Sequence, residues 1–182
     1  MNSEDIKNKK KIILILIAVI FIIVLFAFKD SIRFLFLKSK TILSYDETFE
    51  MYLTKGWEKT SKGKLNEEAD IEIKNDSKDM YLIAIMDDID GTSLTFQDYV
   101  DVIVYSMETG YKVKIPEVKS KGNYRYFDFE YNEGKEKIYM CIYIAKTDNY
   151  VGQIAIWSSA ENRDEVQKEI ENGIIDRIKE KK

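Results

Sequence analysis

Seventeen consecutive apolar residues, Ile12 to Phe28, constrain this chain more than any other feature. Apolar on every side, such a run has no solvent face, and as a helix it rises about 26 Å against a hydrocarbon core of about 30 Å. It predicts a transmembrane helix over 12–28. Lys11 and Lys29 flank the run, and Arg33, Lys38 and Lys40 interleave with Phe34, Phe36 and Leu37 just beyond it, a composition suited to lying among anionic headgroups. A cleaved signal peptide shares the order of basic then apolar residues, but this run outlasts a typical h-region and lacks a convincing A-x-A site. No cysteine follows the run before Cys141, which excludes a lipoprotein anchor. Lys7, Lys9, Lys10 and Lys11 are matched in number by Lys29, Arg33, Lys38 and Lys40, so the basic count alone does not orient the helix. The crowding of the first four against the helix end reads as a signal anchor, with the N-terminus inside and the rest extracytoplasmic. The expected organisation is a basic cytoplasmic tail over 1–11, the membrane helix, a basic and apolar stalk over 29–44, and one soluble domain over 45–182.

That last stretch is the size of one ordinary domain and needs no metal or disulfide to stay folded. The chain carries a single cysteine and no histidine. The first fact excludes an internal disulfide and thiolate-rich zinc sites; the second removes the usual general base near neutral pH and the Ser/His and Cys/His nucleophile pairs. The net charge is -4, which argues against a nucleic-acid groove. Abundant lysine, isoleucine, asparagine and glutamate point to an AT-rich bacterial genome.

Two amphipathic helices are predicted in the soluble part. The first opens at Thr95 with Asp98 three residues on, an approximate capping box, repeats Phe96, Tyr99, Val100, Ile103, Val104 and Met107 along one stripe, and stops at Gly110. The second begins near Ser158 or Asn162 and presents Val166, Ile170, Ile174 and Ile178 at fourfold spacing. Strands are predicted over 69–74, 80–86, 112–118, 124–131, 137–146 and 150–157. Turn residues at 132–134 and 147–149 join the last three into an antiparallel meander. The strands at 80–86 and 137–146 are apolar on both faces, so both should be central and covered twice.

Gly56-Trp57 after a short strand, Ala69-Asp70-Ile71, Ser93-Leu94 ahead of a helix, a strand meander and a closing helix occur in this order. Over about 49–178 the pattern resembles the PsbP family and its relatives, including the Ran-binding Mog proteins. The resemblance implies an α/β/α sandwich, a mainly antiparallel sheet flanked by helices, that serves as a binding or scaffolding module without catalysis. Behind the transmembrane helix this gives an α+β protein. Plant photosystem members help retain calcium and chloride near the oxygen-evolving site, but no ligand residues from that role match positions here. A membrane tether is no part of the plant pattern, which counts against a photosynthetic role.

Asp87, Asp88 and Asp90 precede Gly91 at the end of a buried strand, where carboxylates can hold calcium. The EF-hand register fails, since it places Met86 first and Gln97 twelfth. A solvated loop whose acids favour the approaching helix N-terminus explains the cluster more simply. Trp57 and Trp157 read as packing before pocket residues, and Cys141, in the most apolar strand, as a buried inert thiol. Tyr124, Tyr126, Phe127, Phe129 and Tyr131 crowd one strand, whose uncovered face is free for a partner. No catalytic residue and no cofactor is assigned. The expectation is a membrane-anchored, extracytoplasmic binding or scaffold module with an envelope protein as partner and no nucleic acid; the alternative is a sensor for a small molecule or cation.

Overall fold

The computed structural model describes residues 41–89 and 92–181. The transmembrane helix expected over 12–28 lies outside them, and among the described residues no helix is long and apolar enough to cross a membrane.

Among the described residues ten strands and two α-helices follow in order: β1 (Thr41–Leu43), β2 (Phe49–Tyr52), β3 (Glu58–Lys59), β4 (Ile71–Asn75), β5 (Met80–Asp88), α1 (Phe96–Tyr111), β6 (Lys119–Lys121), β7 (Tyr124–Glu133), β8 (Glu136–Lys146), β9 (Tyr150–Ser159), α2 (Arg163–Glu171) and β10 (Ile178–Glu180). Seven strands form one antiparallel sheet in the order β3-β4-β5-β9-β8-β7-β6, and β1-β2-β10 form a second. The meander β7-β8-β9 is present as predicted, turning through Gly134 at φ 63. β1 falls inside the stretch read as stalk and pairs with β2 from Ile42 to Met51.

Alternation along the central strands feeds two cores. Leu82, Ala84, Tyr139, Cys141, Ile154 and Ile156 point to one face; Ile83, Met140, Ile142, Ile144 and Ala155 point to the other. Helix α1 covers the second face with Val100 and Ile103 buried. Its capping box is complete, the Thr95 hydroxyl accepting from Asp98 N–H while the Asp98 carboxylate accepts from Thr95 N–H. Gly110 lies within the helix; the stop is Lys112, in the left-handed region at φ 55. The stretch 112–118 is therefore no strand. Lys112 is spent on the cap, Pro116 has no N–H for a ladder, and Ile115 donates its N–H to the Glu108 carboxylate at 2.8 Å instead.

The first face departs most from expectation. The sandwich of a sheet between two helix layers is corrected to a mostly antiparallel β fold, because the small sheet, with α2, closes this side. Val166 and Ile170 lie buried on α2 as predicted, but the helix ends at Glu171 and Gly173 takes φ 76. That glycine halts the helix. Ile174 and Ile175 then pack from a short 3₁₀ turn, and Ile178 opens β10 opposite Met51.

Candidate functional site

Between the small sheet and the ends of β5, β7, β8 and β9 lies a cleft of about 500 Å³. Phe49, Met86, Tyr150, Ile154 and Ile175 line it. Its shape depends on Gly152, where a Cβ would stand 2.6 Å from Met86 Sδ. Phe49 and Tyr150 meet edge to face at 4.9 Å. Across one end the Tyr124 hydroxyl donates to Asp176 at 2.8 Å, tying β7 to the turn before β10. Burial, and then this bond, pushes the phenol up to about 12.

The two lips carry opposite charge. Asp176 and Glu180 stand on one, Lys121 and Lys146 on the other. Asp176 holds the Tyr124 hydroxyl, and Glu180 accepts from Asn149 at 3.4 Å. Among the described residues neither Lys121 nor Lys146 forms an ion pair. A shallower depression shares Gly122, Asn123, Lys146 and Thr147 with the cleft and adds Phe96, Arg125 and Asp148. The Arg125 guanidinium lies 5.8 Å from the centre of the Phe96 ring.

The residues singled out in the sequence scatter. Asp87 and Asp88 close β5 as consecutive exposed residues, so their side chains leave the strand on opposite sides; Asp90 lies outside the described residues. Cys141 is buried on the first core face, and burial pushes its thiol up to about 11. Tyr139 O–H lies 3.2 Å from its sulfur, and Gln167 donates to it at 3.4 Å. Trp57 is buried in the core with Nε1 donating to Glu169 at 3.3 Å, while Trp157 stacks on Tyr81 with ring centres 5.6 Å apart. The aromatic strand divides by alternation. Phe127 and Phe129 are sealed beneath α1, and Tyr126 stacks on Tyr143 on the opposite face. Only Tyr124 of that set belongs to the cleft.

Sequence reasoning missed the cleft because its walls are remote in the chain, and it missed Glu72 for the same reason. Glu72 is fully buried yet accepts hydrogen bonds from the N–H groups of Lys64, Leu65 and Asn66 and the hydroxyls of Thr60 and Tyr45. In Ile71-Glu72-Ile73 it reads as an ordinary solvent-facing strand residue. Only the 60–66 loop folding over it says otherwise.

No family model matches the chain, and no curated protein matches it in sequence. Solved structures do. The solution structure of cyanobacterial PsbP, CyanoP from Synechocystis, superposes with a TM-score of 0.52 at 11% identity, covering 78% of this chain and 92% of that one. The fold is PsbP-like. A crystal structure of a protein from Bacteroides thetaiotaomicron matches with a TM-score of 0.54 at 12% identity, over 80% of this chain and 49% of that one. At such identities the likeness establishes the PsbP-like fold, which the order of elements over 49–178 had suggested.

Proposed function

We propose that this PsbP-like domain is a non-catalytic binding module at the extracytoplasmic face of a bacterial membrane, and that it binds in the cleft between its two sheets. The cleft carries the reading: an apolar floor with a few polar groups at its mouth, in the size range of about 300 to 1,000 Å³ usual for ligand sites. Groups with chemical potential are engaged elsewhere, Cys141 in the core and Glu72 in holding a loop. The apolar run over 12–28 supports the location. To test the site, a photo-crosslinking amino acid is placed at Tyr150, in the cleft, and separately at Tyr105, on the outer face of α1. A specific adduct at position 150 in intact cells is expected; adducts at 105 alone overturn the cleft as the binding site.

A protein-contact reading, in which the domain is a scaffold for an envelope partner, rests on that outer face of α1. Val102 is 58% and Tyr105 71% exposed there, an unusual display for large apolar side chains on one helix. Crosslinks from position 105 to a single envelope protein, with none from 150, favour it.

A further inference from the structure

The cleft and the depression beside it meet at Asn123 and Lys146, so an apolar trough runs directly into a cationic shelf. On the acidic lip each carboxylate already has a donor, Tyr124 for Asp176 and Asn149 for Glu180. On the basic lip, among the described residues, Lys121 and Lys146 have no carboxylate partner, and Arg125 lies against the Phe96 face and donates to the Tyr124 carbonyl. Among the described residues Asp148 is the one acid lining the shelf. Among the described residues the lysines of the mouth are thus without an ion pair, while the carboxylates of the acidic lip each accept a hydrogen bond and the trough offers hydrocarbon contact.

We propose that the site takes a single-chain anionic amphiphile, with its hydrocarbon tail against Phe49, Met86, Tyr150 and Ile175 and its carboxylate or phosphate held by Lys121 and Lys146. This deepens the cleft-binding reading and rests on it. Met86 suits the floor because an unbranched thioether adapts to a flexible chain. Tyr124, held by Asp176, stands opposite Lys121 across the β6-β7 pair, so its ring flanks the trough beside the cationic shelf.

The test uses the full chain in amphipol, labelled by a photoreactive diazirine analogue of hexadecanoate and mapped by peptide. Label is expected on the peptides carrying Met86, Tyr150 and Ile175. Charge reversal by Lys121→Glu with Lys146→Glu should cut it by at least about tenfold, and Ala145→Phe, which fills the trough, should abolish it; circular dichroism checks that each variant is folded. Competition by dodecanoate identifies a free fatty acid as the source of the anion, and competition by a lysophosphatidate alone identifies a phosphate headgroup. Label spread over the surface, label indifferent to charge reversal, or equal labelling by the neutral hexadecanol analogue overturns the proposal. If a neutral competitor protects the cleft while the anions do not, cleft binding stands and the anionic class fails.

Discussion

Glu72→Gln tests whether a buried carboxylate organises the loop over β4. In the native chain one carboxylate oxygen accepts from Leu65 N at 3.0 Å and Asn66 N at 2.7 Å; the other accepts from Lys64 N at 3.2 Å and from the Thr60 and Tyr45 hydroxyls at 3.1 Å. Glutamine keeps the shape and one acceptor oxygen. Its NH₂ then faces Lys64 N–H, donor against donor, whereas the two hydroxyls can rotate to accept. One orphaned backbone donor and the loss of charge assistance together cost about 2 to 3 kcal/mol, or roughly 10 °C in Tm for a domain of this size. The pH dependence gives a second reading. Burial works to raise the Glu72 carboxyl, but the bonds from Asn66, Leu65, Thr60 and Tyr45 outweigh it and hold the group below its ordinary value of 4.5. A depressed folded-state value stabilises the native state above the unfolded value, and that contribution is lost as pH falls through the folded one. The stability gap between wild type and Glu72→Gln should therefore be full at pH 7 and shrink below about pH 4.5. Urea unfolding of the full chain between pH 3.5 and 7 reads both quantities. A gap under about 0.5 kcal/mol at pH 7, or one that widens toward acid, refutes the role given to Glu72.

Gly152→Ala should destabilise by about 1 to 2 kcal/mol through overpacking on Met86, and a double-mutant cycle with Met86→Ala should recover at least about 0.5 kcal/mol; strict additivity would show that the two residues do not share the cleft floor. Cys141 should resist thiol reagents in the folded protein at pH 8 and react fully in denaturant, as a buried thiol pushed up to about 11 requires; stoichiometric labelling of the native state within minutes would contradict its placement. For orientation, single cysteines at Ser3 and Lys179 in a Cys141→Ala background are probed with a membrane-impermeant maleimide on intact cells. Labelling at 179 alone agrees with an extracytoplasmic domain, and labelling at 3 alone overturns it.

Local patterns carried much of the fold. The capping box at Thr95 and Asp98, the stripe along α1, the meander β7-β8-β9 and the doubly covered strands β5 and β8 were all legible, because each depends on residues within a few positions of one another. Errors arose where a local signal had a rival nearby. Fourfold spacing ran Ile174 and Ile178 into α2, yet Asn172-Gly173 ends that helix first. Gly110 looked like a stop, yet α1 passes through it and ends on Lys112.

The sequence alone determined which faces of β5, β8 and α1 must be buried and where most elements begin, since apolar periodicity and caps are short-range properties. Tertiary structure decided what covers each face. That β10 returns to pair with β2, that Gly152 leaves room for the Met86 sulfur, and that Lys121, Lys146 and Asp176 line one cleft all depend on contacts between residues far apart in the chain. Such contacts leave no periodic trace along it, because what selects them is the closing of a core on two sides at once.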